Sequence, residues 1–274
     1  MASNLDCVGL RVRDQDGFTE LVGDALRSAQ PLGSRDGVDV VRWQDAGGAR
    51  LVFGLRGGKV LDLLPSFAAE PGAQLSGLVM ATDEVATAAV VDESGEQLTS
   101  LALEPEQRRL LPADQVHCAA TVIALGVEVG VFSDADAFGA SAASLLSERD
   151  SGSEPPADYI ANGWTWPPRM AAESFISYGV FGASTDATAH AQIAGTVLAA
   201  SLRRTMLTGQ EFITARVRTA GFETDVCLSA HEHQEVPIPG QVIAGTVFLV
   251  GDLAWASDAE APARRRHFLG WGRK

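Results

Sequence analysis

A pentapeptide that occurs twice in the last third of the chain constrains the fold more than any other feature. The sequence IAGTV stands at 193–197 and again, fifty positions later, at 243–247. Its β-branched residues favour strands. A glycine at the same place in both copies lets a strand coil sharply, as small barrels require. The repeat therefore predicts two equivalent strands of one closed or half-closed sheet.

The surrounding segments, 211–219 and 224–228, alternate between apolar and polar residues and predict further strands. With a glycine-bent first strand, a turn at 208–209 and an alternating hairpin, this part resembles the oligonucleotide/oligosaccharide-binding (OB) fold. That fold usually has a helix before its last strand, whereas this chain has the polar segment 231–239. The resemblance covers residues 190–255 and implies a small antiparallel OB-like β-barrel domain over residues 183–257.

The first section, residues 5–67, predicts the order β-α-β-β-β. A short β-like stretch at 7–12 precedes Asp14 and Asp16, whose carboxylates suit a helix N-cap, and an apolar stripe of helical spacing follows at 18–29. Three strands are expected at 38–43, 51–53 and 60–64, because these runs are rich in β-branched and other apolar residues and glycine-containing turns separate them.

Residues 7–14, CVGLRVRD, resemble the opening strand of the glyoxalase/vicinal-oxygen-chelate superfamily, and the β-α-β-β-β order is similar to that family's order. The family commonly opens this strand with a metal-binding histidine, but Cys7 stands there in this chain. The family's carboxylate ligand has no clear counterpart, although Glu20 and Asp62 lie in the same section. The resemblance implies the fold of residues 5–67, and the replaced ligand argues against the family's metal chemistry.

A second likeness links residues 12–18 with residues 132–138, where two aspartates and a phenylalanine recur at a displacement of 120. Either a strand-to-helix unit is used twice, or Asp-x-Asp is simply a good helix start. We predict an α+β fold. A mixed domain with repeated βαβββ-like units spans 1–182, the small barrel spans 183–257, and a basic tail spans 258–274.

Charge and cysteine content narrow the functional classes. The 274 residues carry a formal charge of −14, which disfavours general binding to nucleic-acid phosphates. Three cysteines, odd in number and widely separated, are typical of buried thiols in a reducing compartment. The first residues show neither a basic segment nor an apolar run, and no apolar stretch has transmembrane length. We therefore expect a cytoplasmic protein without a signal peptide or a membrane span.

The groups with chemical potential have simpler structural explanations. His231, His233 and Glu235 could share one face and bind zinc, but a solvated loop fits their setting better. His117 and Cys118 are neighbours in a predicted strand and should point to opposite faces. The two Asp-x-Asp pairs are explained by helix capping. The sequence predicts no catalytic residue, no metal site and no cofactor.

The segment around Tyr159, Trp164, Trp166 and Arg169 is the most credible contact surface for a ligand or a partner. Tryptophan combines apolar area with an N–H donor, which suits stacking and protein interfaces. Two prolines at 167–168 exclude a continuing helix or a central strand. The alternative is an aromatic clasp that packs this segment onto the body of the protein.

Three functional hypotheses follow. The first is a non-catalytic binding or assembly protein, which could be a homo-oligomer and whose unknown protein partner or small ligand contacts the tryptophans. The second is a vicinal-oxygen-chelate-type enzyme acting on a small organic molecule. The third is single-stranded nucleic-acid binding through the barrel, for which the candidate residues are Arg203, Arg204, Arg216 and Arg218. The acidic composition makes the third the least favoured.

Overall fold

The computed structural model describes residues 2–112, 114, 116–147 and 152–254. Strands account for 49% of the chain and helices for 15%, so the protein is mostly β. The α+β prediction, with repeated βαβββ-like units before a separate small barrel, is wrong. The helices are α1 (Gln15–Ser28), α2 (Ala135–Ala140) and α3 (Ala157–Asn162), with 3-10 turns at Asp6–Val8, Ala142–Ser144, Tyr178–Val180 and Ser184–Asp186.

The strands form two sheets. The first sheet contains β1 (Gln30–Arg35), β2 (Val38–Gln44), β3 (Ala49–Arg56) and β4 (Lys59–Phe67). The second contains β5 (Ala73–Met80), β6 (Ala86–Val91), β7 (Gln97–Pro105), β8 (Val116–Phe132), β9 (Ser174–Ser177), β10 (His190–Arg204), β11 (Glu211–Thr219), β12 (Phe222–Ser229) and β13 (Val242–Ala254).

Both predicted helix starts are confirmed, and the second helix is much shorter than the first. Asp14 Oδ1 accepts a hydrogen bond of 2.8 Å from the Gly17 amide, and Asp134 Oδ1 accepts one of the same length from the Ala137 amide. Each carboxylate thus satisfies an otherwise unpaired first-turn donor. The helix that follows Asp134 ends at Ala140, so the capping signal predicted the helix start but not its length.

The first sheet is an antiparallel meander in the order β1-β2-β3-β4, and the three strands predicted within 38–64 are confirmed. The predicted opening strand at 7–12 is wrong. A 3-10 turn occupies Asp6–Val8 and ends at Gly9, whose φ of 69° is a left-handed conformation that favours glycine. The hydroxyls of Thr205 and Thr208 donate to the Gly9 carbonyl at 3.0 and 2.6 Å, so a distant part of the chain holds this turn.

The second sheet closes on itself twice. Its order is β11-β12-β8-β5-β6-β7-β13-β10-β9, and additional pairings join β10 with β11 and β8 with β13. The first ring therefore runs β8-β5-β6-β7-β13, and the second ring runs β8-β12-β11-β10-β13. Both rings share the pair β8–β13, which we call the central ribbon.

The central ribbon determines how the two rings are arranged. Residues 119–132 of β8 pair with 242–254 of β13 in antiparallel register. The other edge of β8 pairs with β5 near its start and with β12 in its middle, so the rings lie end to end along the ribbon. The fold prediction required the strands of 183–257 to close a sheet by themselves. They do not, because the second ring also contains β8, which precedes residue 183. The division of the chain at residue 182 stays a prediction, and the basic tail lies outside the described residues.

The repeated pentapeptides pair with each other inside the second ring. Ala194 lies opposite Ala244, Ile193 opposite Gly245, and Gly195 opposite Ile243, so the two copies are related by a local twofold arrangement. The prediction that both copies form strands of one closed sheet is confirmed for these two strands. The internal repeat is therefore a feature of strand pairing rather than of a chemical site.

Apolar side chains fill the rings and the space between the rings and the first sheet. A buried charge network joins the two sheets. The Glu106 carboxylate is completely buried and accepts from Arg42 at 2.9 Å, from Arg50 at 3.0 Å and from the Ser66 hydroxyl at 2.5 Å. Asp252 at the end of β13 binds Arg50 at 2.7 Å. A buried carboxylate is tolerated only with such partners, so the network fixes the position of one sheet on the other.

Candidate functional site

Three of the predicted contact residues form an aromatic cluster, which we define as Tyr159, Trp164 and Trp166. The Tyr159 ring lies edge-to-face with Trp164, with centroids 5.4 Å apart and planes at 86°. It makes a similar contact with Trp166, at 4.8 Å and 78°. Aromatic pairs prefer this geometry because the positive ring edge meets the negative ring face. The three rings therefore lie together, and their role as a contact surface stays a prediction.

Local backbone signals bring the three rings together. Pro156 precedes α3, and Gly163 ends the helix in a left-handed conformation with φ 64°. The Trp164 amide then donates to the Tyr159 carbonyl at 3.0 Å, which turns the chain back over the helix. Because Gly163 reverses the chain, both tryptophans reach the same tyrosine.

Two of the four predicted residues mainly hold their own segment. Trp166 Nε1 donates to the Ser153 carbonyl at 3.0 Å. The Arg169 guanidinium donates to the Ser141 carbonyl and to the Ser144 hydroxyl, both at 2.6 Å. These bonds support the clasp interpretation for Trp166 and Arg169, because their donors already have acceptors within the chain.

Trp164 faces outward and has an apolar neighbour that sequence reasoning missed. Its side chain is 59% exposed, and Ile160 on α3 is 68% exposed. The Gly163 amide donates to the Ile160 carbonyl at 3.2 Å. Ile160 and Trp164 are therefore separated by only this one turn of the chain. We call Ile160 and Trp164 the apolar patch. Ile160 could have been recognised as the one branched aliphatic residue of the short segment 157–162, ADYIAN, which has little room to bury it.

The histidine-containing segment 231–235 is an irregular loop, as predicted. His231 and Glu235 are exposed, and His233 is half-buried, which lowers its pKa because burial disfavours the charged imidazolium. Within the described ranges, no three His, Cys, Asp or Glu residues lie close enough together to hold a metal ion.

His117 and Cys118 point to opposite faces of β8, as predicted. Cys118 is buried, which raises the pKa of its thiol, whereas His117 is exposed. The structure instead brings His117 Nδ1 within 3.0 Å of the Ser76 hydroxyl on the neighbouring strand. Among the described residues no carboxylate hydrogen-bonds His117, so this pair lacks the third group that orients the base in a catalytic triad. No sequence signal could have found this pair, because it depends on the register of β5 against β8.

Cys7, at the position of the resemblance to the vicinal-oxygen-chelate superfamily, is buried, and its Sγ donates to the Gly126 carbonyl at 3.3 Å. Burial, with a smaller contribution from Asp6, raises the pKa of this thiol to about 12. A cysteine binds a metal ion as the thiolate, and this environment keeps the Cys7 thiol protonated.

The four arginines proposed for nucleic-acid binding have different environments. Arg216 binds the carboxylates of Glu223 and Asp225 at 3.0 and 2.7 Å, and Arg218 binds Glu173 at 2.8 Å. The remaining two are exposed; Arg204 Nε donates to a backbone carbonyl, while Arg203 makes no ion pair with a described residue. Half of the expected cationic set is therefore already neutralised by acidic neighbours.

No protein-family model matches the chain, and neither a curated protein nor a solved structure is significantly similar to it. The resemblances of 5–67 and 190–255 therefore stay predictions. None of the helices within the described ranges has both the length and the apolar character that crossing a lipid bilayer requires.

Proposed function

We propose that the protein is a non-catalytic binding or assembly protein whose partner contacts the apolar patch. The observation that carries the proposal is the 59% exposure of Trp164, held in a defined orientation by its edge-to-face contact with Tyr159. A large aromatic side chain fixed on the surface loses little conformational entropy on binding, which is why tryptophans are enriched among residues that dominate interfaces.

The size of the exposed surface sets the expected effect of a mutation. With about 150 Å² of Trp164 accessible, burial at about 25 cal/mol per Å² corresponds to at most roughly 4 kcal/mol. Removal of such a residue from the centre of an interface typically costs about 2 kcal/mol or more, which is a loss of roughly 30-fold in affinity.

The test compares the double variant I160A/W164A with M206A, which removes an apolar side chain that is 78% exposed on a different loop. Sedimentation equilibrium measures self-association, and affinity capture from the native cell extract detects other partners. We expect wild type and M206A to behave alike and the double variant to lose the partner. A monomeric wild type whose captured proteins are unchanged in the double variant would contradict the proposal.

We further infer that the protein acts in the cytoplasm. Cys7, Cys118 and Cys227 are free buried thiols, and burial raises the pKa of each. Free thiols of this kind are typical of a reducing compartment.

Two rival functions have direct tests. A vicinal-oxygen-chelate-type enzyme would carry one stoichiometric divalent metal, which elemental analysis of the purified protein detects. Single-stranded nucleic-acid binding would give a salt-dependent mobility shift with an oligonucleotide, weakened by substitution of Arg203 and Arg204.

A further inference from the structure

A cleft of about 500 Å³ lies where the first sheet meets the segments that follow β5 and β7. Its walls include apolar side chains, among them Val38, Met80 and Leu111. Four arginines also line it: Arg35, Arg56, Arg108 and Arg109. We call this the arginine cleft. Its volume lies in the range of sites for small organic ligands.

The concentration of arginine is unusual for this chain, which holds 21 basic residues against 35 acidic ones. Only two acidic residues, Asp36 and Asp83, line the arginine cleft. Asp36 is 3.7 Å from Arg35, but its side chain is 92% exposed and water screens the interaction. Arg56 is exposed and makes no ion pair with any described residue. The positive charges of Arg35 and Arg56 are thus only weakly neutralised by described residues.

The other two arginines share one carboxylate. Asp62 binds Arg108 at 3.1 Å and Arg109 at 2.8 Å. Glu104 lies 3.7 Å from Arg108, but burial raises its pKa to about 7, so part of its population is uncharged at neutral pH. The Arg108 side chain is only 4% exposed, and its Nε donor has no acceptor among the described residues. A buried donor without an acceptor is uncommon.

We infer that the arginine cleft binds a small organic molecule that carries a phosphate or carboxylate group on an apolar body. Guanidinium groups bind these oxyanions with short, charge-assisted hydrogen bonds, and the apolar wall would cover the rest of the ligand. The cleft is formed by different elements from the apolar patch, so this inference goes beyond the proposed function.

Two other clefts that contain arginine pairs lack this charge balance. The groove beside Arg216 and Arg218 is also lined by Asp92, Glu93 and Glu223, which outnumber the arginines. The cleft that contains Arg11 and Arg13 has two acidic residues of its own, Asp6 and Glu211. Of these three, only the arginine cleft is lined by more arginines than acidic residues.

The test uses phenyl phosphate as the ligand and phenol as its neutral counterpart, with isothermal titration calorimetry on the full chain. We expect one phenyl phosphate per chain and at least tenfold weaker binding of phenol. Inorganic phosphate should also bind more weakly, because it lacks the apolar body; equal affinity for it would overturn the organic part of the inference. The absence of saturable phenyl phosphate binding up to about 10 mM would overturn the whole inference.

Two matched variants locate the binding. R35Q/R56Q removes two charges from the cleft, and R11Q/R13Q removes two charges from exposed arginines elsewhere. We expect affinity to fall roughly 100-fold in the first and less than twofold in the second, because each lost charge-assisted contact is worth about tenfold or more. Equal losses would indicate a general charge effect and would overturn the site assignment.

Arg35 also donates to the backbone carbonyls of Leu110 and Leu111, so its replacement could disturb folding. The single variant R56Q avoids this difficulty and should weaken binding roughly tenfold with an unchanged thermal midpoint. The I160A/W164A variant should keep full affinity for phenyl phosphate. If the apolar patch proves to bind no partner, the phenyl phosphate result is unaffected, so the two proposals are tested independently.

Discussion

Alanine substitution at the two glycines of the repeated pentapeptide tests how the central ribbon is built. Gly195 and Gly245 have identical neighbours in sequence but different surroundings. A Cβ built on Gly245 would lie 2.2 Å from the Glu128 carbonyl oxygen, and the residue has a φ of 143°. A Cβ on Gly195 would instead lie 2.9 Å from Val217 Cγ2, 3.0 Å from Val217 Cβ and 3.1 Å from the Arg218 carbonyl oxygen, with no unusual φ. The same mutation therefore probes a severe collision with the backbone at Gly245 and a milder contact, mainly with a valine side chain, at Gly195.

The expected magnitudes follow from these contacts. At Gly245 the strained φ costs about 1–3 kcal/mol, and separation of β8 from β13 by about 1 Å in a tightly packed sheet adds about 1–3 kcal/mol. At Gly195 all three contacts are 2.9 Å or longer and φ is unstrained, so overpacking costs about 1–2 kcal/mol. We expect G245A to lower the free energy of unfolding by about 2 kcal/mol more than G195A does.

Urea unfolding followed by circular dichroism measures this difference. With an m-value of about 3 kcal/mol per M, 2 kcal/mol separates the two midpoints by roughly 0.7 M. Equal m-values are required for the comparison, because a changed m-value would indicate a different unfolded or native state. A G195A midpoint equal to or below that of G245A would refute the reasoning, since it would show that the ribbon accommodates a side chain at Gly245.

Two other predictions concern buried carboxylates. Replacement of Glu106 by alanine leaves Arg42 and Arg50 without this buried partner and should lower the free energy of unfolding in urea by about 3–5 kcal/mol. The E106Q variant keeps the shape and one acceptor, so it should lower the free energy of unfolding clearly less. Equal losses in the two variants would contradict a charge effect. Glu104 has a folded-state pKa of about 7, above the usual value of 4.5, so the unfolded chain releases this proton first and Glu104 destabilises the fold as pH rises from 5 to 7. E104Q should therefore gain stability relative to wild type between pH 5 and pH 8, measured by urea unfolding at both values, and an unchanged difference would contradict the raised pKa.

Local signals in the sequence predicted local structure well. The carboxylates at Asp14 and Asp134 marked helix starts, because each capping hydrogen bond joins residues only three positions apart. The segment at 7–12 has β-like composition, yet hydrogen bonds from Thr205 and Thr208 to Gly9 hold a 3-10 turn there. No property of the segment itself contains that information.

The candidate site shows the same division. Clustering of Tyr159 with two tryptophans could be predicted because Gly163 reverses the chain within a few residues. The acceptor for the Arg169 guanidinium could not be predicted, because it is the carbonyl of Ser141, which lies 28 residues earlier in a separate turn. The arginine cleft was also missed, because Arg35, Arg56 and the pair at 108–109 come from three separate segments that meet only when the first sheet docks on the rings.

The filled interiors of the rings explain why both proposed binding surfaces lie outside them. Side chains such as Leu75, Leu101 and Ile193 point into a continuous apolar cluster and are almost completely buried. Even barrels of about eight strands are just wide enough for side chains to fill, so rings of five strands leave no space for a ligand. Ligands and partners must then meet the protein outside the ring interiors. The apolar patch lies on the connection between β8 and β9, and the arginine cleft lies at the sheet junction, so the rings act as the scaffold that positions both surfaces.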